Sequence, residues 1–563
     1  MPFYPVSLLG GLDLARRAVT AHQAAAQIAG HNLANAATPG YTRQRAELVP
    51  GANRTGVDVA SVSRMRDRFL DFSLLTEQQA LGRNQAQESL LKRLEVVFDD
   101  APGEGVSALL DTFYQSFQQL SATPTDQGVR ITVKDTGERI AQTFQLMHQR
   151  VGQLKTDLAA EIQQRVSDAN SLTTQIADLN RRIVAAKVYG DANDLMDQRD
   201  LLVTRLGEIA GVTATDRSDG SVQLALTGTG VLLVDGQASF ALTATPNGGT
   251  DTIDVAVSGS VALAPKSGEL SALLDARNQS SGAIKQATAD LDALAGAIAL
   301  RVNRLHANGT GLTEHAALTA VNAVSSSAVA LNAAGLAVTP VNGSFKVIVH
   351  DTTGAATANA VINITAGTTT LTDVQTALNA VAGLTATISS GKLTITAAAN
   401  RTFTFANDTS DTLAALGLNT FFTGSGASTL AVNAVVANDV TKIAAATADA
   451  ANLVHSGDGS NALALAGLRT VLTMASATQT FTDFYGSTVA RIGSQTQAAI
   501  EGVSRGEAAV QLVQSLQQQV AGVSIDEEMI NLSQSQAAFG AAARYAGTIN
   551  EMIETLFRIF GAA

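Results

Sequence analysis

With no cysteine in the chain, its seven histidines and forty-nine carboxylates are the first places to look for acid–base catalysis or metal binding. The histidines are His22, His31, His148, His306, His315, His350 and His455. None stands in H-E-x-x-H or another metal-ligand spacing, and Glu314-His315 is only an adjacent pair. They read as helix-face or surface residues. Without cysteine there are no disulfides, no thiol chemistry and no cysteine-ligated zinc or haem. Gly228-Thr229-Gly230 lacks the third glycine and the following helix of a dinucleotide fingerprint, and no Walker A string occurs. Ser456-Gly457-Asp458-Gly459-Ser460-Asn461 is rich in oxygen but short of the ligands of an EF-hand. It reads as a turn in which Ser460 or Asn461 caps a helix. Asp526-Glu527-Glu528 follows Ser524 and precedes an apolar periodic run, so these are first-turn carboxylates favoured by the helix dipole rather than a metal cluster. No catalytic, cofactor or metal residue is assigned.

The elements that carry these residues are mostly helices. From Ser7 to Asn35, Leu8, Leu12, Ala15, Val19, His22, Ala26, Ala29 and Leu33 recur at alternating steps of four and three, the spacing of a helix lying along a partner helix. The small residues of this stripe allow close approach but bury little area, so the helix needs tertiary packing. Its expected partner begins at Ile525, where Met529, Leu532, Phe539, Ala542, Ala546, Ile549, Ile553, Leu556 and Phe560 continue at helical steps. His22 falls on the first stripe, where a polar residue fixes register, with tuning of the pairing by pH as the sharper alternative. Asn35 suits the left-handed residue after the helix, and Pro39-Gly40 the centre of a type II turn. Asn32 lies in the same end signal. The expected assembly interface is therefore Leu8, Leu12, Val19, His22, Asn32, Leu33 and Asn35 with Ile525, Met529, Leu532, Phe539, Ile549, Ile553 and Leu556.

Between the two ends the pattern alternates. Residues 41–63 read as short extended segments around Pro50-Gly51. Helices are expected over about 64–98, 106–120, a long one after the start signal Thr123-Pro124-Thr125-Asp126 with an apolar stripe from Ile140 to Ile183, and 191–210. Short strands with glycine turns follow over 212–265. Helical patterning returns over 268–306, then a second β-rich region over about 312–430. Inside it Thr370-Leu371-Thr372-Asp373 forms a capping box, and a hairpin turns at Ser390-Gly391. From about Asp439 the pattern is helical again. The expected fold class is multidomain and mixed, a long coiled-coil or bundle formed by both termini with all-β and α+β domains inserted in the middle. The expected domains are 1–63 with 523–563, a terminal coiled-coil assembly domain; 64–211 with 440–522, a helical bundle; 212–311, β-rich with a returning helix; and 312–439, an inserted outer module.

Length and composition agree. A chain of 563 residues holds several domains. With 46 % hydrophobic residues but only 4 % aromatics and no tryptophan, close-packed helices and thin β domains are expected. A net charge of −12 argues against nucleic acid, which needs clustered basic residues. No apolar run approaches a membrane span, so no membrane insertion is expected. No cleavable signal peptide is visible either, so export would use another route.

Asn32-Leu33-Ala34-Asn35 followed by Thr38-Pro39-Gly40-Tyr41-Thr42-Arg43-Gln44 resembles the N-terminal signature of bacterial flagellar axial proteins. The T-P-G-Y-x-R-Q form is most similar to the hook-associated protein 1 family. Arg64-Met65-Arg66-Asp67-Arg68-Phe69-Leu70, Gly457 to Leu465, Val523 to Glu528, Gln536 to Phe539, and Ala543-Arg544 resemble later segments of that family. The likeness covers roughly 5–210 and 440–560, and 340–423 looks like an inserted module of a kind seen in flagellins. The resemblance implies a non-enzymatic protein, exported by the flagellar type III apparatus without a cleaved signal. It implies an extracellular place at the hook–filament junction, in a ring of copies next to hook protein and the second junction protein. It also implies a chaperone that holds the C-terminal helices before export. The alternatives are another axial component (second junction protein, hook or distal rod) and, from other classes, a secreted enzyme or adhesin carried on a flagellar scaffold.

Overall fold

A computed structural model describes residues 7–51, 56–99, 105–188, 190–257 and 262–560. The side chain of Phe560, last in the expected C-terminal stripe, lies outside the described residues.

Helix α1 (Leu8–Asn35) starts where Ser7 Oγ accepts the Gly10 N–H at 3.1 Å. Asn35 is not the left-handed residue beyond the helix. It is the last helical residue, and Ala36 stays right-handed at φ −54°. The Thr38 N–H donates to Asn35 O at 2.9 Å, so a tightened last turn satisfies that carbonyl without a left-handed cap. The chain then reverses at Thr38–Tyr41, with Gly40 at φ +78° and a 3.2 Å bond from Tyr41 N–H to Thr38 O, as a type II turn requires. Strands β1 (Gln44–Pro50) and β2 (Val57–Arg64) form an antiparallel hairpin with an irregularity at Glu47/Leu48.

Four helices follow: α2 (Arg68–Val97), α3 (Val106–Ala122), α4 (Gln127–Lys187) and α5 (Asn193–Ala210). Asp126 opens α4 by accepting the Gly128 N–H at 2.7 Å. The apolar stripe of α4 from Ile140 to Ile183 is buried, with Leu172 half-covered. Helix α5 ends at Gly211, where a Cβ would lie 2.2 Å from Ser267 Oγ, so only glycine fits. Strands β3 (Val212–Asp216), β4 (Val222–Leu226), β5 (Leu232–Asp235) and β6 (Ala238–Ser239) make an antiparallel sheet in chain order. Strands β7 (Leu242–Asn247) and β8 (Thr252–Val257) make a separate hairpin. The single helical stretch expected over 268–306 is two helices, α6 (Glu269–Asn278) and α7 (Ala283–Ala307).

The second β region contains β9 (Ala317–Thr319), β10 (Gly343–Asp351), β11 (Ala356–Ile364), α8 (Leu371–Asn379), β12 (Leu384–Ser389), β13 (Lys392–Ala397) and β14 (Arg401–Ala406). They form two three-stranded sheets, β11-β10-β14 and β12-β13-β9. Phe345, Val347, Phe403, Phe405, Leu393 and Ile395 share one apolar core with Leu371, Val374 and Leu378 of α8. Both halves of the Thr370/Asp373 capping box are formed. Ser390 and Gly391 have φ of 49° and 74°, the left-handed pair of a type I′ hairpin. The short elements α9 (Thr412–Leu416), β15 (Phe422–Thr423), β16 (Ala431–Val432) and α10 (Ala434–Asn438) lead out.

Helical structure does not resume at Asp439. Apart from a single turn at Val440–Lys442, regular helix waits until α11 (Ser460–Gly467). Neither Ser460 nor Asn461 is its cap acceptor. Asp458 accepts the Ser460 N–H at 2.9 Å and also the Thr447 N–H, while Asn461 is buried and bonds Ala444 O. Helices α12 (Phe481–Ala521) and α13 (Ile525–Phe560) complete the chain.

By contacts the chain divides into two compact units. One comprises Met1–Leu90, Asp157–Gln279 and Gln497–Ala563, the other Leu91–Thr156 and Ser280–Thr496. In the second unit Asn419 organises two buried histidines. His306 Nδ1–H donates to Asn419 O at 2.8 Å, and His306 Nε2 accepts the Ala444 N–H at 3.0 Å, so the ring is held neutral. His315 Nε2–H donates to Asn419 Oδ1 at 3.1 Å. Burial pushes both imidazoles down to about 4. The unfolded chain therefore takes up protons below about pH 6.5 that the folded unit refuses, so stability is full above that pH and falls towards pH 4. The expected loss is up to roughly 3 kcal/mol per histidine. Urea unfolding of this unit at pH 7 and pH 5 measures it, and His315→Gln is expected to reduce the difference; equal midpoints at both pH values would contradict the assignment.

Candidate functional site at the paired terminal helices

The candidate site lies within the first unit, where α1 runs antiparallel to α13. A Cβ at Gly11 would meet Ile549 Cδ1 at 3.1 Å and Tyr545 Oη at 3.4 Å, while at the other end of α1 Asn32 meets Glu528. The positions of α1 that become buried are Gly11, Ala15, Ala21, Ala29 and Asn32. The covered side of α13 includes Glu528, Leu532, Ser535, Ala538, Ala542, Ala546, Ile549 and Ile553. The seam is thus made of small residues, as expected, but on α1 it is rotated from the Leu8–Leu12–Val19 stripe. The hairpin explains part of this. A Cβ at Gly56 would meet Leu14 and Arg17, and Arg17 Nη1 reaches Asp58 Oδ2 at 2.6 Å, so α1 has a second covered face.

The expected interface residues divide accordingly. Asn32 and Ile549 are buried. Leu8, Val19, His22, Leu33, Asn35, Leu532 and Ile553 are half-buried. Leu12, Ile525, Met529, Phe539 and Leu556 are exposed on the single chain, Met529 by 57 % and Leu556 by 46 %.

Asn32 is the centre of a polar network that periodicity alone does not reveal. Its Nδ2 donates to Gln44 O at 2.8 Å and to Glu528 Oε2 at 3.0 Å. Its Oδ1 accepts Tyr41 Oη–H at 2.7 Å and Gln44 N–H at 3.0 Å. All four valences of the amide are therefore used. Glu528, only 3 % exposed, is held by Arg43, whose Nε lies 2.7 Å from Oε1. Arg43 Nη1 reaches Glu527 Oε2 at 2.8 Å, and its own N–H donates to Ala521 O at 3.0 Å, at the end of α12. Breaking a buried ion pair of this kind costs roughly 3–5 kcal/mol, because the surviving charge is left without a partner.

The network continues into α5. Thr42 N–H donates to Asp197 Oδ2 at 2.9 Å, and Arg64 Nη1 bridges Asp197 and Asp200 at 2.7 and 2.9 Å. Burial raises the Asp197 carboxyl above its ordinary range in spite of Arg64. Burial acts the same way on Asp200, but Arg199, Arg64 and Arg66 outweigh it and hold that carboxyl low. Tyr41 is pushed well above a normal phenol by burial and by the Asp194, Asp197 and Glu528 carboxylates, so it stays a hydroxyl donor. A cleft of about 600 Å³ beside this network is lined by His31, Gln44, Asp191 and Asp194 among others. Its carboxylates are already engaged, Asp191 by Val62 N–H and Asp194 by Gln44 Nε2.

The other arrangement with a chemical look is in the inserted β region of the second unit. His350 Nε2 lies 3.0 Å from Thr404 Oγ1, and Glu314 Oε1 is 3.6 Å behind the ring. This is the order of a nucleophile, base and carboxylate. His350 and Thr404 are both buried, so no substrate reaches the hydroxyl, and the set packs as a satisfied polar core. Among the described residues no group of three or more metal-ligating side chains converges, and no helix is long and apolar enough to cross a membrane.

Sequence reasoning missed Tyr41, Arg43, Gln44, Glu528, Asp197 and Arg64 as a connected set. The signal was the string Thr38–Gln44 itself, read as a turn and a resemblance but not as donors and acceptors.

Comparison with known proteins bears on this architecture. Residues 91–318 match the family model described as the helical domain of flagellar hook-associated protein FlgK. Flagellar hook-associated protein 1 of Bacillus subtilis is 33 % identical over 231 residues, 38 % of this chain and 46 % of that protein. The Salmonella typhimurium protein of the same name is 29 % identical over 320 residues, 53 % of this chain and 56 % of that protein. The chain thus spans about half the length of these two relatives. The Escherichia coli protein of that name aligns over 97 % of this chain and 99 % of its own length at 26 % identity. The solved structure of the flagellar hook junction protein FlgK from Burkholderia pseudomallei superposes with a TM-score of 0.53 at 19 % identity, covering 80 % of this chain and all of that one, and shares its fold. With its terminal signature strings and this set of matches, the chain is similar to flagellar hook-associated proteins, and over residues 91–318 to the helical domain of FlgK.

Proposed function

We propose that this protein is a structural subunit of the bacterial flagellum, assembling as a ring of copies at the junction of hook and filament. The observation that carries the reading is the state of α13. Its inner face is used by α1, yet Ile525, Met529, Phe539 and Leu556 stand exposed beside that face. Apolar surface of that kind on an elongated helix is a cost in water unless another molecule covers it. In the proposed ring, neighbouring copies cover it, and the α1–α13 pair becomes one stave of a terminal coiled-coil layer. On this reading Leu8, Leu12, Val19, His22, Asn32, Leu33 and Asn35, with Ile525, Met529, Leu532, Phe539, Ile549, Ile553 and Leu556, serve the pair and its neighbours. The proposed domains are 1–63 with 523–563, 64–211 with 440–522, 212–311, and the inserted module 312–439.

The same reading makes the protein non-enzymatic and extracellular. It leaves by the flagellar type III route without a cleaved signal, with an export chaperone on the C-terminal helices, and contacts hook protein on one side and the second junction protein on the other. The small-residue seam fits such a life. Close-packed alanines bury little area per contact, so the pair formed in the single chain is only marginally stable and opens readily until additional surface is covered.

Electron microscopy of isolated hook–filament structures with a labelled protein tests the placement: label confined to the junction is expected, and label spread along hook or filament would sink it. Truncation after Asp526 is expected to leave the middle of the chain folded, by circular dichroism and protease resistance, while abolishing junction assembly; stable junctions built by the truncated chain would remove α13 from the interface. In the free monomer, backbone amides of 7–35 and 525–560 are expected to exchange with solvent at least about tenfold faster than those of 140–183, since local opening needs little area to be exposed. Equal protection at low concentration would show that the pair is ordered before assembly.

A further inference from the structure

The α1–α13 seam has a property that its packing alone does not resolve. Gly11, Ala15 and Ala29 on one side face a stripe whose apolar residues continue at the same spacing beyond the native contacts, through Ile553 and the exposed Leu556. Sliding α13 by one heptad replaces Leu532 with Phe539, Ala542 with Ile549, Ala546 with Ile553 and Ile549 with Leu556. The slipped stripe is at least as apolar as the native one, so hydrophobic burial does not select the observed register.

The polar network does. In the native register Arg43 meets Glu527 and Glu528, and Asn32 donates to Glu528. After a one-heptad slip the same places hold Gln534 and Ser535, leaving Arg43 with no anionic partner from α13. We propose that Asn32, Arg43 and Glu528 form a register lock, which selects the one alignment of α1 on α13 and makes seating of α13 conditional on a formed Thr38–Gln44 turn. Arg43 and Gln44 leave that turn directly into β1, and Asn32 joins it to α1 through both polar atoms of the Gln44 backbone. A C-terminal helix arriving before the turn has folded finds no buried cation for Glu528. The lock is a property of the single chain and does not depend on where the protein assembles. It also reassigns the register-setting role from His22 to Asn32: the half-buried His22 has no polar partner among the described residues, whereas Asn32 bonds across the seam.

The absence of cysteine makes the register directly readable. The Gly11–Ile549 and Asn32–Glu528 contacts bring Ala15 level with Tyr545, beside the covered Ala546, in the native register, and one heptad on, beside Ile553, after the slip. Full-length monomer carrying Ala15→Cys with Ala546→Cys reports the first, and Ala15→Cys with Ile553→Cys the second, by disulfide formation under mild oxidation. The decisive variant is E527Q/E528S, which places the same residues at the lock in both registers. The expected result is that it raises the 15–553 cross-link at least about tenfold over the parent, at unchanged helix content by circular dichroism. R43Q, which removes the cation and keeps both carboxylates, is expected to raise the same cross-link and decides the matter if the first variant does not fold. The proposal is overturned if both folded variants keep the native cross-link alone, or if the 15–553 cross-link forms as readily in the parent. It is also overturned if R43Q loses the helix pair without passing through the slipped register.

Discussion

The first unit of this protein depends on one buried carboxylate. Glu528 sits at the first turn of α13, almost without solvent, between the Arg43 guanidinium and the Asn32 amide. A lone carboxylate there would carry a large desolvation penalty. It is tolerable only because segments some 485 and 496 residues away in sequence are folded beside it. The same few side chains tie together the end of α1, the type II turn, the start of β1, the end of α12 and the start of α13. Through Thr42 and Arg64 they reach Asp197 and Asp200 of α5. The alanine seam then extends a pairing whose geometry the polar groups have defined.

On the proposed function, this division of labour suits a subunit that must not associate too early. Small-residue seams give close approach and modest stabilisation, and leave large apolar residues on the flanks for other molecules to cover. Polar locks contribute little net stability compared with apolar replacements, but they penalise wrong alignments heavily. The second unit uses the opposite strategy. Its core is dense in phenylalanine, with Phe113, Phe117, Phe421 and Phe422 packed ring against ring, and its buried His306 is hydrogen-bonded at both ring nitrogens and held neutral. Rings of that size bury far more surface than alanines do, so this unit carries its stability within itself.

The resemblance and the physics also explain each other in part. The string Thr38–Gln44 that carries the resemblance is not an arbitrary label here. Pro39 and Gly40 set the turn, Tyr41 and Gln44 saturate Asn32, and Arg43 neutralises Glu528. Each residue type in it has a task that a neighbour of different chemistry does not perform.

The sequence by itself determined the elements. Helical spacing from Leu8 and from Ile525, the stripe of α4, the Thr370 capping box and the Ser390-Gly391 hairpin are local signals, set by side-chain period and backbone preference, and the fold contains all of them. It determined as well that the segments from Leu8 and from Ile525 are helices, the first with a stripe of mostly small residues. Tertiary structure decided which face of α1 is used, because the β1–β2 hairpin covers a second side of the helix and rotates the seam towards Gly11 and Asn32. It decided that Asp526-Glu527-Glu528 is more than a dipole-favoured first turn, because the partner charge on Arg43 lies at the far end of the sequence. It decided too that His350, Thr404 and Glu314 are core and not catalysis, because burial is a property of the packed sheets. Local period follows from bonded geometry and is written along the chain; burial and pairing follow from which segments meet, and no window of the sequence contains both partners.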